Sequence, residues 1–247
     1  MISKAHTKYI QSLRHKKFRD ETGLFFAEGP KLVYDLLSAG TFNCKEIFAL
    51  PQWIDEHAAM LANLNQTSFT AIKDFELEKI SALTTPHEVL AVFEKSRPDE
   101  QFDAAGKITL ALDEVQDPGN LGTIIRIADW FGIANIVCAG GTADMYNPKV
   151  VQSTMGSLGR VNIVYTNLPA WLKRNNTVKI YAATLQGQDV RTIGILIEGI
   201  IIIGNEAAGI SEQVLALATE KITIHKAGLA ESLNAAVATG IILSHTR

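Results

Sequence analysis

Three loops in the C-terminal half carry side chains that could bind or activate a ligand. The first reads Asp113-Glu-Val-Gln-Asp-Pro-Gly-Asn-Leu-Gly-Thr-Ile-Ile-Arg126. Asp117-Pro118-Gly119 is turn chemistry, and Asn120 reads as the N-cap of a following helix. Arg126 stands among Ile124, Ile125 and Ile127, a stretch otherwise suited to burial. A guanidinium placed there calls for an anion, either a structural carboxylate or a ligand phosphate. Asn120 and Arg126 do not share one face of an ideal helix, but both can border one opening.

The second loop, Gly204-Asn-Glu-Ala-Ala-Gly-Ile-Ser211, follows a wholly apolar run. Gly204 and Gly209 permit close backbone approach, and Ser211 can cap the next helix. Glu206 has no evident structural duty in such a loop. The third is Ile222-Thr-Ile-His-Lys-Ala-Gly-Leu-Ala-Glu-Ser-Leu-Asn234. Ser232 and Asn234 are capping residues by type, yet bracketing Leu233 they could equally present a hydroxyl and an amide to a small ligand. His225 reads as a loop residue or a ligand contact. There is no Gly-Lys-Ser/Thr phosphate loop and no GxGxxG fingerprint.

These loops need a scaffold, and the pattern supplies one. Strands are expected at 108–112, 135–138, 179–183, 200–203 and 221–224, with helices at 120–131, 148–155, 169–174, 211–218 and 233–244. Continuous apolar strands such as Ile200-Ile-Ile-Ile203 suit a parallel sheet buried on both faces. Such sheets bind ligands beyond the carboxyl ends of their strands, so the loops after residues 112, 183, 203 and 224 are the ones to inspect. The polar stretch from Lys95 to Gly106, with Pro98, reads as a linker. Before it lies a smaller α/β pattern: strands at 24–27, 46–50 and 89–93, and a helix opened by Gly29-Pro30 and running to Gly40. No catalytic constellation appears there. It reads as a binding module.

The chain of 247 residues is 47% hydrophobic and 20% charged, with a net charge of −3. That is a globular composition without a polybasic tail, so any contact with nucleic acid has to come from a local patch. One exists: the first 19 residues hold Lys4, Lys8, Arg14, Lys16, Lys17 and Arg19 and no acid. Tyr9, Ile10 and Leu13 give this segment a short helix whose cations form either a solvated face or a phosphate-contacting patch. Cys44 and Cys138 lack metal-ligand or disulfide spacing. No apolar leader segment opens the chain, and the most apolar stretch, 193–204, is too short for a span of about 20 residues. The reading is a cytoplasmic protein that does not enter the membrane.

Taken in order, Asp117-Pro-Gly-Asn120…Arg126, Gly204-Asn-Glu206…Gly209-Ile-Ser211 and Glu231-Ser-Leu-Asn234 resemble the three motifs of the SpoU (TrmH-type) RNA 2′-O-ribose methyltransferases of the SPOUT superfamily. Asn147-Pro-Lys-Val-Val-Gln-Ser153 to Gly156-Ser157 also fits. Phe25-Phe-Ala-Glu-Gly-Pro-Lys-Leu-Val33 is similar to the start of the family's N-terminal domain, which resembles ribosomal protein L30e. The resemblance implies an L30e-like RNA-binding domain over 1–98 and a parallel-sheet methyltransferase domain over 107–247, closed by a trefoil knot. It further implies S-adenosylmethionine as methyl donor, a homodimer, and an RNA substrate, ribosomal RNA before transfer RNA. Thr184, Gly204, Ile224 and Leu233 match the cofactor positions, and Asn120, Arg126, Glu206, Ser232 and Asn234 the catalytic ones. Lys4, Lys8, Arg14, Lys16 and Lys17 are the candidate RNA contacts, and no metal is required. One departure is His225 after Ile224, where the family usually has Pro, which leaves that loop less rigid. The competing reading is a catalytically inactive RNA-binding protein on the same scaffold, and behind it an unrelated nucleotide-binding α/β enzyme.

Overall fold

A computed structural model describes residues 2–64 and 67–246. They form two compact units, one of residues 2–97 with 146–160, the other of residues 98–145 with 161–246. In chain order the elements are α1 (Lys4–Ser12), α2 (Lys16–Thr22), β1 (Leu24–Glu28), α3 (Pro30–Ala39), β2 (Cys44–Ala49), α4 (Pro51–Glu56), α5 (Ala58–Leu61), β3 (Ser68–Ala71), α6 (Asp74–Ile80) and β4 (Val89–Glu94). There follow β5 (Ile108–Asp113), α7 (Pro118–Trp130), β6 (Asn135–Ala139), α8 (Pro148–Thr154), β7 (Asn162–Thr166), α9 (Leu168–Arg174), β8 (Ile180–Asp189), β9 (Gly199–Gly204), α10 (Glu212–Leu215), β10 (Glu220–Thr223) and α11 (Ala235–Leu243).

In the first unit four strands run in the order β1-β4-β2-β3, with β4 antiparallel to both neighbours and β2 parallel to β3. Pro30 opens α3, where its missing N–H costs nothing, and Gly40 closes it in the left-handed region at φ +66°. α1 drives Ile10 and Leu13 into a core with Phe26, Phe48, Ile72, Leu77, Ile80 and Leu90. On the same unit α8 packs on β1, and Tyr146 lies 4.7 Å from the Phe25 ring. The elements that pattern alone does not announce are α4, α5, β3 and α6. The first two and α6 span two turns or fewer, and β3 is a sheet-edge strand with three of its four residues exposed. Neither case leaves room for a readable period.

The second unit is a wholly parallel six-stranded sheet in the order β10-β8-β9-β5-β6-β7. Ile200, Ile201 and Ile202 in β9 are fully buried, as a central strand covered on both faces requires. β7, unannounced by the sequence, is the edge strand beyond β6, where only Ile163 and Val164 are buried. α10 is shorter than expected, ending at Leu215. Ser211 stands at its N-cap without a side-chain cap bond.

α8 ends in an unfavourable way. Its C-cap Met155 has φ +50°, a conformation in which a Cβ crowds the backbone and which glycine adopts freely. Met155→Gly is therefore expected to stabilise the protein by about 1 kcal/mol, since the left-handed penalty is of that order. Chemical denaturation checks it; a destabilised variant would mean that the Met155 side chain packs for more than its backbone costs.

Candidate active site

The register of the parallel sheet sets the site's outline. Asp113 pairs with Gly204, Ala182 with Ile202, and Lys221 with Ala182. The loops after β5, β9, β8 and β10 therefore leave the same edge side by side, at the carboxyl ends where ligands of such sheets bind. β10 passes over residues 183–187 of β8: Lys221 pairs with Ala182, but Ile222 with Gln188. Thr184 falls within that unpaired stretch. Asp113, almost fully buried, accepts a hydrogen bond from the Ser211 amide at 2.7 Å and ties the end of β5 to the loop after β9.

Three loop residues far apart in the chain meet there in one hydrogen-bonded series. Asn120 Nδ2 donates to Glu206 Oε1 at 2.7 Å. Asn234 Nδ2 donates to Asn120 Oδ1 at 2.8 Å. Asn234 Oδ1 in turn accepts from the Ala236 and Val237 amides at 3.0 and 3.2 Å, as the N-cap of α11. The direction of each bond is fixed from both ends. An ionised Glu206 can only accept, so Asn120 must turn its amide nitrogen toward it and its oxygen toward Asn234. The first turn of α11 can only donate, so Asn234 must turn its oxygen inward to the helix and its nitrogen outward to Asn120. Glu206 also meets the Gln116 and Asp117 amides, both at 3.4 Å.

The structure corrects two readings of α7. Asn120 is not its N-cap: Asp117 is, accepting from the Asn120 amide at 2.8 Å, with Pro118 in the first turn. Capping by Asp117 frees the Asn120 side chain for Glu206. Nor does Arg126 lie in a buried stretch. Leu121, Ile124, Ile125 and Ala128 fill the buried face, and Arg126 is exposed with Thr123 and Trp130 on the outer one. It pairs with no carboxylate among the described residues, so of its two possible anions the structural one drops out. Ser232 is exposed two residues before Asn234 and takes no part in the series or in the cap. Between α7 and α11 a cavity of about 550 Å³ is lined by Asn120, Thr123, Ile127, Asn234, Val237 and Ile241 among others.

Of the residues matched to the cofactor, Leu233 lies in a segment whose backbone groups are unspent, and Thr184 is half-buried with its hydroxyl donating to the Gln186 carbonyl at 2.7 Å. Gly204 ends β9, and Ile224 follows β10 directly. From 225 to 233, among the described residues, no backbone group bonds to another. That segment offers donors and acceptors in a row, and Leu229 and Leu233 stand exposed in it. A Cβ on Gly204 would collide with the Gly209 carbonyl, so the close fold of its own loop requires this glycine. Neither cysteine offers a nucleophile: burial pushes the Cys44 thiol up to about 12 and the Cys138 thiol in the same direction.

The N-terminal cations divide into two kinds. Arg19 is buried and donates to the Leu13 and Arg14 carbonyls, both at 2.9 Å, so it serves the fold. Arg14 binds the Ile80 and Ser81 carbonyls at the end of α6. Lys16 pairs with Asp20 at 2.6 Å and Lys17 with Glu21 at 3.9 Å, within α2. Lys4 and Lys8, one turn apart on α1, are exposed and pair with no carboxylate among the described residues.

Comparison with known proteins places this geometry. Residues 107–244 match the SpoU rRNA Methylase family, and residues 4–91 match the MRM3-like substrate binding domain. A 23S rRNA guanosine 2′-O-methyltransferase of Bacillus subtilis is 34% identical over 96% of this chain and 94% of its own. An AdoMet-bound rRNA methyltransferase from Sinorhizobium meliloti superposes with a TM-score of 0.88 at 34% identity, over 99% of this chain and 95% of that one. The SpoU methyltransferase AviRb from Streptomyces viridochromogenes, in complex with AdoMet, gives 0.86 at 27% identity over 98% and 97%. The chain belongs to the SpoU rRNA methylase family.

Proposed function

We propose that this protein transfers a methyl group from S-adenosylmethionine to a ribose 2′-hydroxyl of ribosomal RNA. The observation that carries the reading is the Glu206–Asn120–Asn234 series at the carboxyl edge of the sheet, on the three motifs of the family. The substrate class follows relatives named as 23S rRNA 2′-O-methyltransferases, and the donor follows structural neighbours with AdoMet bound. The methyltransferase domain lies within residues 107–247, less the stretch 146–160 that packs with the first unit, and residues 1–98 bind RNA.

Bound S-adenosylmethionine supplies an electrophilic methyl group on a sulfonium. Thr184, Gly204, Ile224 and Leu233 hold it, largely through backbone groups. The remaining work falls to the chain's own side chains. A neutral ribose hydroxyl is a poor nucleophile and must lose or share its proton as it attacks. Arg126 cannot be the base, because a guanidinium stays protonated. It grips the phosphate beside the target ribose with two parallel N–H groups and polarises the hydroxyl. The hydroxyl proton passes to that phosphate and on to water as the oxygen–methyl bond forms and the sulfur keeps the electron pair of the bond it loses. Asn120 and Asn234 orient the ribose, Ser232 contributes its hydroxyl, and Glu206 fixes the direction in which Asn120 points. Positioning of this kind can account for much of the acceleration.

Two copies form the working unit. Trp130 is 85% exposed and Val237 50% exposed, on the two helices that line the cavity, and a second copy covers such a surface better than water does. The C-terminal segment closes the sheet as a trefoil knot. The protein works in the cytoplasm.

Transfer of labelled methyl to ribosomal RNA from cells lacking the protein tests the function. The wild-type protein is expected to label it, and to lose the label after Arg126→Lys by about 100-fold or more, because lysine cannot reproduce the bidentate grip. Arg126→Ala should leave the melting temperature unchanged, as no carboxylate is stranded. Near-normal transfer by Arg126→Lys would remove Arg126 from the reaction.

The exposed N-terminal cations generate a separate expectation. Changing Lys4 and Lys8 to Gln should weaken RNA binding and lower its salt slope by about 2, because each lysine neutralises one phosphate. Binding titrations across salt check it. An unchanged slope makes α1 a solvated face.

A further inference from the structure

The turn at the end of β5 carries a feature that the motifs do not. Glu114, one residue beyond the strand, has φ +59°, a conformation glycine or asparagine adopts more readily than glutamate. Its side chain lies against Gly141, where an added Cβ would fall 2.7 Å from the Glu114 Cδ. Its carbonyl accepts from Asn205 Nδ2 at 2.8 Å. Asn205 spends every other polar group on its own loop. Its amide and carbonyl bond the Gly209 carbonyl and amide at 2.9 and 3.0 Å. Its Oδ1 accepts from the Ala207 and Ala208 amides, both at 2.9 Å. The loop that carries Glu206 is therefore closed by Asn205 and strapped by the same residue to β5.

We infer that Asn205 is a positioning residue for methyl transfer, acting through Glu206; the inference rests on the function proposed above. Asp113 ties the two loops together at their base and at Ser211, and the strap sets their separation next to Glu206. On one stands Glu206, on the other the Gln116 and Asp117 amides, which meet it at 3.4 Å, and Asn120, which meets it at 2.7 Å. The two amide bonds are already long, so a small drift of one loop from the other breaks them. Asn120 then follows a carboxylate that has moved. The closed turn does not need the strap, since the bonds to Gly209, Ala207 and Ala208 form it alone. The two duties can thus be separated.

Asn205→Asp keeps the oxygen that holds the turn and loses the donor that reaches Glu114. Asn205→Ala loses both. In the full-length protein, transfer from labelled S-adenosylmethionine to large-subunit ribosomal RNA from cells lacking the protein gives kcat and KM, calorimetry gives cofactor affinity, and hydrogen exchange follows the amides. Both variants should lose about 10- to 100-fold in kcat, as a displacement of an ångström can cost, with KM and cofactor affinity for S-adenosylmethionine held within about twofold. Exchange at Gln116 and Asp117 should quicken in both, and exchange at 207–209 only in Asn205→Ala. Wild-type kcat in Asn205→Asp overturns the inference, leaving Asn205 a turn-former. A parallel loss of cofactor affinity overturns it too, by making Asn205 part of the cofactor site. If the wild-type protein labels no RNA, the proposed function has failed. Exchange at Gln116 and Asp117 unaltered in Asn205→Asp then shows that there is no strap either.

Discussion

A carboxylate can only accept hydrogen bonds, and a helix N-terminus can only donate them. Between Glu206 and the first turn of α11 stand two asparagines, each with one donor face and one acceptor face, and the two ends force the same orientation on both. A series so constrained has one low-energy arrangement rather than several. Asn120 and Asn234 are therefore set before any substrate arrives. In the proposed reaction this counts more than the presence of a strong base, because preorganised polar groups need not be reoriented when charge develops.

The sheet makes this possible. Because all six strands are parallel, the loops after β5, β9, β8 and β10 crowd one edge. Residues separated by 86 and 114 positions can then share bonds under 3 Å. The apolar strands beneath are buried on both faces and form the rigid floor of that edge. Asp113 fastens the edge by binding the Ser211 amide. The N-terminal unit rests on the same economy of charge: Arg19 and Arg14 are spent on carbonyls, and Lys4 and Lys8 are left exposed on α1.

Much of this is legible in the residues. The run Ile200–Ile203 announces a central strand, and Gly29-Pro30 with Gly40 marks both ends of α3, because composition and breakers act locally. Asn234 is legible as a cap for the same reason. Asn120 reads as a cap too and is not one, since Asp117 three residues earlier starts the helix and accepts from the Asn120 amide, and the sequence does not say which of the two wins. The isoleucine neighbours of Arg126 suggest burial. The helical period instead alternates them, with Ile124 and Ile125 inward and Arg126 outward. The step of β10 past 183–187 and the left-handed Glu114 leave no mark at all, because tertiary pairing imposes them on residues with other preferences. The family motifs point to Glu206 as a site residue, but its bond to Asn120 needs the fold.

If the direction of the Glu206–Asn120–Asn234 series holds the proposed site, an exchange of partners must show it. Asn120→Asp sets one carboxylate against another and should abolish the series. Adding Glu206→Gln puts an amide donor back opposite the new carboxylate, which can still accept from Asn234. Single-turnover methyl transfer by the double variant is therefore expected to exceed that of Asn120→Asp by about 10-fold or more, a coupling of roughly 1.4 kcal/mol. Transfer by the double variant that is no better than by Asn120→Asp would show that the two residues act independently and that the series does not orient the site.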